Sequence, residues 1–170
     1  IRDRYLLKQF LISKKKYGDV YMNIGIIPAR LNSTRLPNKI LSDISGKPMI
    51  AHVMERALKS TKLDKVILGV DSSETINHLS KYEFEIHMTS DKHISGTDRV
   101  NEVAQEFPEA EIIINIQGDE PLLEPKMIDD LVSVMEDSQV QMATVLSNKL
   151  TVSDLLNPNV VKAIMDEDHN

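Results

Sequence analysis

Residues Glu111–Gln117 read Glu-Ile-Ile-Ile-Asn-Ile-Gln, apolar on successive positions instead of alternate ones. A strand of that kind buries both faces, so it belongs at the centre of a sheet clad with helices on either side. The rest of the chain supplies the materials. From Asn23, the short β-rich runs Ile24–Ile27, Val66–Val70, Glu85–Met88, Ile112–Ile116, Met142–Leu146 and Val160–Met165 alternate with amphipathic stretches. Pro48–Lys59 lines up Met49, Ile50, Val53, Met54 and Ala57 on one stripe, with Pro48 tolerated in a first helical turn. Asp98–Phe107 does the same with Val100, Val103, Ala104 and Phe107, and Pro125–Met135 with Ile128, Leu131, Val132 and Met135. This rhythm predicts an α/β fold: a mixed, mostly parallel sheet flanked by crossover helices. No internal repeat or Gly/Ser linker divides residues 23–170, which read as one domain. It is expected to be incomplete at the C-terminus, because Asp166–Asn170 is a polar turn that leads nowhere.

Charge and composition remove other classes. Of 170 residues, 41% are hydrophobic and 27% charged, as in globular chains, and no apolar run is long enough for a membrane-spanning helix. There are no cysteines, which excludes disulfides, thiolate metal sites and cysteine nucleophiles, and fits a cytoplasmic setting. The five histidines, His52, His78, His87, His93 and His169, share no metal-ligand spacing, and nothing in the sequence gives His93 a partner. The net charge of −6 is uneven: residues 1–22 carry +4 and the remainder −10. A body this acidic is a poor non-specific partner for nucleic acid. Within 1–22, Leu6, Leu7, Phe10 and Leu11 have the spacing of an amphipathic helix, suited to a membrane surface or a docking contact. The plainer reading is an appended or upstream-translated segment, since Met22 immediately precedes the first strand and no small-residue cleavage site follows.

Three loops carry chemistry. Pro28-Ala29-Arg30-Leu31-Asn32-Ser33-Thr34-Arg35-Leu36-Pro37-Asn38-Lys39 follows the first strand, where an open α/β sheet presents its ligand crevice. Its cations Arg30, Arg35 and Lys39 suit a triphosphate; a polar loop whose cations merely face water accounts for the composition equally well. It lacks the glycines of a Walker A or dinucleotide fingerprint. Gln117-Gly118-Asp119-Glu120-Pro121 ends the buried strand, and a carboxylate there suits Mg²⁺ held against phosphates. Gly-Asp before a proline is also ordinary turn chemistry. Thr89–Arg99 offers backbone and hydroxyl groups to a base edge, although a weak capping box alone accounts for Ser95 and Asp98.

Taken together, Ile26–Arg30, Ser33–Pro37, Gly46–Ile50, Ser95-Gly96-Thr97, Asn115–Pro121 and Asn157–Lys162, in that order, resemble the 3-deoxy-manno-octulosonate cytidylyltransferase (CMP-Kdo synthetase) family. The resemblance covers Asn23 to about Asp166, the N-terminal two-thirds of the family. It implies a nucleotide-diphospho-sugar-transferase-like (Rossmann-like) fold, Mg²⁺ as cofactor, and transfer of CMP from CTP to Kdo with release of pyrophosphate, for lipopolysaccharide synthesis in the cytoplasm. By resemblance, Arg30, Arg35 and Lys39 engage triphosphate, Arg30 and Lys39 share the catalytic role with Asp119, and Asp119 binds the metal. Pro28, Ala29 and the loop Ser95, Gly96, Thr97 and Arg99 surround cytidine, and Gln117 touches sugar or nucleotide. Asn38 stands where the family has glycine; asparagine tolerates a left-handed backbone, so the turn is expected to survive. The family's C-terminal part, absent here, supplies a second metal-binding aspartate, further sugar contacts and much of a homodimer interface. The alternatives are an 8-amino-Kdo, sialic-acid or spore-coat type of cytidylyltransferase, a non-catalytic nucleotide-binding fragment, and a scaffold with an adaptor helix.

Overall fold

The computed structural model describes residues 5–8, 12–14, 22–31, 36–147, 149 and 151–163. Its centre is strand β3 (Met22–Ala29), with β6 (Lys65–Val70) and then β7 (Glu85–Met88) added on one side and β8 (Ala110–Asn115) on the other. All four are parallel. At the outer edge of β8 lies the antiparallel β2 (Ile12–Lys14), which completes five strands in the order β2-β8-β3-β6-β7.

Side chains on a strand alternate between faces, and here both faces are apolar. Ile24, Ile26, Ile67 and Ile113 pack with Val100 and Val103 of α3 (Gly96–Gln105). Their neighbours Ile27, Ala29, Val66, Leu68, Ile112 and Ile114 point the other way. They meet α1 (Met49–Ala57) through Ile50, Val53 and Met54, and α4 (Pro125–Met135) through Ile128, Leu131 and Val132. Ile24, Ile26, Ile27, Ile67, Leu68 and Ile114 are 0% exposed, as a doubly covered sheet requires. The continuous apolar run at residues 111–117 is therefore the strand β8, next to the centre.

Smaller elements fill the connections. A 3₁₀ turn (Lys39–Leu41) follows Asn38, which adopts the left-handed conformation at φ +54°, and leads into the hairpin β4 (Asp43–Ile44) and β5 (Lys47–Pro48). The helix α2 (Ser73–Leu79) buries only Thr75 and Leu79, and α5 (Val152–Leu156) buries nothing, so neither shows an apolar stripe in the sequence. A second sheet, β10-β1-β9, joins β1 (Tyr5–Lys8) to β9 (Val145–Ser147) and β10 (Lys162–Ala163), all antiparallel.

The N-terminal segment departs from expectation. Residues 5–8 and 12–14, whose apolar spacing suits a helix, are strands, because each lies against backbone donors and acceptors of another strand and that pairing overrides a weak local period. Of the strand expected over Val160–Met165, residues 162–163 are strand and 164–165 lie outside the described residues. No helix among the described residues is long and apolar enough to cross a membrane.

Candidate functional site

Strand order fixes where a ligand can enter. From β3 the chain crosses to β6 on one side, whereas β8 lies on the other, so the connections diverge at β3 and β8 and leave a crevice beyond their carboxyl ends. Pro28 sharpens that opening. Ile116 N–H donates to Ile26 O (2.9 Å), and the next β3 residue facing that strand is Pro28, which has no N–H to give. The ladder stops there, and both chains leave the sheet side by side.

Two glycines let three loops meet at Pro28. A Cβ on Gly118 would stand 3.1 Å from Pro28 O, and one on Gly96 would stand 3.2 Å from Pro28 Cγ. The Gln117-Gly118-Asp119 turn, the end of β3 and the start of α3 are thus drawn onto one point. Arg30 is exposed and its Nη1 donates to Ile94 O (3.1 Å), which ties the loop after β3 to the segment before α3. Lys39 Nζ donates to Asp119 Oδ2 at 2.6 Å, with 38% and 48% of the two side chains exposed. A cation from the first loop and a carboxylate from the last central strand thus share one solvent-accessible crevice. Gln117 Nε2 donates to Oδ1 of the buried Asn115 (3.3 Å), and Ala29 lies buried beneath the same opening.

The start of α3 is built as the sequence suggests. Ser95 and Asp98 form a capping box: Asp98 N–H donates to Ser95 Oγ, and Ser95 N–H to Asp98 Oδ2. The Ser95 hydroxyl and its N–H hold the Asp98 carboxyl below the ordinary aspartate range. Thr97 is exposed on the first turn. Glu102, one turn further on, accepts from Ser90 N–H (3.0 Å) and pairs with His93, which together depress its pKa. His93 therefore has a partner that the sequence does not reveal.

Arg99 differs from its expected place around cytidine. Its side chain is 0% exposed, with Nη2 donating to Asp71 Oδ2 (3.2 Å) and Nη1 to Thr89 Oγ1, so it has no surface to offer a base. Burial is the largest influence on its pKa and lowers it, opposed by Asp71 and reinforced by the charge of Arg30. Arg35, with Asn32, Ser33 and Thr34, lies outside the described residues. Asp71 was missed in the sequence, although it directly follows a strand end, the position that marks ligand loops in such sheets; Thr89 was read as part of the loop before α3 but not as a partner of Arg99.

No group of three His, Cys, Asp or Glu among the described residues can hold a metal ion by itself. Asp119 still suits Mg²⁺, which keeps several waters, takes phosphate oxygens and needs only one or two carboxylates from the protein.

An open parallel sheet whose switch point gathers a cationic loop, a carboxylate and a capped helix start has the layout in which such folds take up phosphorylated ligands. A family model described as cytidylyltransferase matches residues 24–170, and the chain belongs to that family. It is similar to the 3-deoxy-manno-octulosonate cytidylyltransferase of Geobacter sulfurreducens, 46% identical over 147 residues that cover 85% of this chain and 58% of the relative. A relative of the same description from Actinobacillus pleuropneumoniae is 50% identical over 145 residues, covering 84% and 57%. Among solved structures, a CMP:2-keto-3-deoxy-manno-octonic acid synthetase complexed with CTP superposes with a TM-score of 0.67 at 41% identity, over 70% of this chain and 49% of that one. The chain thus spans a little over half the length of the curated relatives it matches.

Proposed function

We propose that this chain forms the nucleotide-binding part of a 3-deoxy-manno-octulosonate cytidylyltransferase, which transfers CMP from CTP to Kdo and releases pyrophosphate. The observation that carries the reading is the 2.6 Å contact between Lys39 and Asp119, which brings together loops 80 positions apart. Arg30, Lys39 and Arg35 hold the triphosphate, as flexible and forked cations do. Ala29, with Ser95, Gly96 and Thr97, borders cytidine, and Gln117 lies toward the sugar. The anomeric hydroxyl of Kdo attacks the α-phosphorus in line; its oxygen gains the bond to phosphorus and loses its proton to solvent as the bond to the bridging oxygen breaks, and that oxygen leaves with its electron pair on pyrophosphate. Such a step needs positioning and neutralisation of charge more than a covalent nucleophile. Asp119 would hold Mg²⁺, which would supply charge stabilisation to the phosphate oxygens. The setting is cytoplasmic synthesis of the lipopolysaccharide inner core, with a homodimer as the working form.

The test is pyrophosphate release from CTP and Kdo by the protein extended to the length of its relatives, beside its Asp119→Asn variant. Turnover is expected in the first and a fall of roughly 10²–10³-fold in the second, with the circular dichroism spectrum unchanged. No release from the extended protein, or undiminished release from the variant, would contradict the assignment.

A further inference from the structure

Among the described residues Arg99 is the largest fully buried side chain, and it is a cationic one. Burying a guanidinium is costly even when it is paired, and an apolar side chain of similar volume often stabilises a core as well or better. Its Nε has no partner among the described residues, so the arrangement also leaves a buried donor unmet. These are poor terms for a residue whose task is packing alone. The contacts indicate another task. The stem of Arg99 lies against Gly69, where a Cβ would stand 3.3 Å from Arg99 Cγ and 3.2 Å from Val103 Cγ2. Its head group reaches two strand ends: Asp71, which follows β6, and Thr89, which follows β7. Thr89 in turn donates its hydroxyl and its N–H to Val70 O, each at 2.7 Å. Asp71, 13% exposed, spends its second oxygen outside this pair, because Oδ1 accepts the backbone N–H of Leu31 at 3.0 Å. Leu31 directly follows Arg30, at the point where the cationic loop leaves β3.

We propose that Arg99 and Asp71 form a buried clamp that sets the backbone of the loop after β3, and that they act as positioning residues for nucleotide phosphate without touching it. The inference rests on the nucleotide reading of the crevice. Arg99 holds Asp71 in one orientation, Asp71 holds Leu31 N–H, and Arg30 is thereby aimed at the crevice mouth beside Ile94 O. A carboxylate restrained on one oxygen presents the other in a fixed direction, as a partner behind a metal ligand does for its histidine.

The experiment uses the chain as it stands, with Asp71→Ala, Arg99→Met and the double variant. Amide hydrogen exchange reports the clamp directly: Leu31 N–H should exchange about tenfold faster in Asp71→Ala while amides in β6 keep their protection. Isothermal titration with CTP and Mg²⁺, beside cytidine, reports its consequence. CTP affinity should fall about tenfold in either single variant, and no further in the double, while cytidine affinity holds, because a misplaced loop damages phosphate contacts and not the base pocket. Unchanged Leu31 exchange in a folded Asp71→Ala variant, or additive losses in the double, overturns the clamp. If Arg99→Met does not fold, Asp71→Ala alone carries the test. Absence of CTP binding by the unaltered chain would instead count against the nucleotide reading, and Leu31 exchange would still decide whether the clamp exists.

Discussion

Lys39 and Asp119 pair across the crevice, so an anion or a cation that enters competes with one of them for the other. A triphosphate offers Lys39 a better acceptor than a single carboxylate, and Lys39→Glu would face it with repulsion. We expect CTP affinity to fall about 10- to 100-fold, the scale of losing a charge-assisted hydrogen bond, with cytidine affinity nearly unchanged. Titration with both ligands checks this, and equal losses would mean that the fold had been damaged. Some residues disclosed their roles in the sequence. Asn38 was expected to accept a left-handed backbone and sits at φ +54°; Ser95 and Asp98 were read as a capping box and form one. Both are local signals, carried within a few residues. Arg99 was not legible, because whether a motif arginine faces a ligand or the interior depends on Gly69, Asp71 and Thr89, which reach it only through the fold. The same holds for His93, whose partner Glu102 lies on the next element.

Elements with their own apolar period were read closely, and those without one were not. The helix Pro125–Met135 and the strand Glu85–Met88 have the boundaries expected of them, whereas Ser73–Leu79 and Val152–Leu156 offer too little buried surface to leave a pattern. The strands at residues 5–8 and 12–14 owe their state to their partners. The same dependence on neighbours appears where α4 meets the turn after α1. Asp129 accepts from Ser60 Oγ (2.5 Å), Thr61 Oγ1 (2.9 Å) and the N–H groups of Thr61 (3.0 Å) and Lys62 (3.2 Å). Partial burial raises its pKa, but these donors outweigh it and hold the carboxyl below the ordinary aspartate range. A depressed folded pKa contributes stability that is present above the unfolded value, near 3.8, and is lost as pH falls from there through the folded one. Asp129→Asn should therefore lower stability by about 1–2 kcal/mol at pH 7, the net value of bonds to a partly exposed charged acceptor. The difference should shrink as pH drops below 4. Urea melts at pH 7 and pH 3 would measure it; a difference that is the same at both would show that the charge is irrelevant.

At the scale of the molecule, the proposed function assigns phosphate and base to different parts of the fold. On that proposal the cationic loop attends to phosphate alone and the start of α3 borders the base, so selectivity among nucleotides should be a property of their combination. With Mg²⁺, CTP at about a hundred times its Kd should raise the melting temperature by roughly 5–10 °C, and ATP, GTP and UTP by less. Equal shifts from all four would assign recognition to phosphate only.

The strand order also sets a schedule for the newborn chain. On the ribosome, β3 emerges first among the four parallel strands and gains β6 soon after, but its other side waits for β8, behind β7 and α3. At ~5–20 residues per second the interval from Ala29 to Ala110 lasts on the order of 5–15 s. Through that time the middle of the future sheet presents an unpaired edge flanked by Ile24 and Ile26, a template for any passing strand. A nascent chain arrested before Ala110 should therefore be sticky, and chaperone occupancy should fall once Asn115 clears the exit tunnel. Asp119 follows only four residues later, so the nucleotide site proposed above is complete only once the sheet is: its ligand would reward completion and give no help before it.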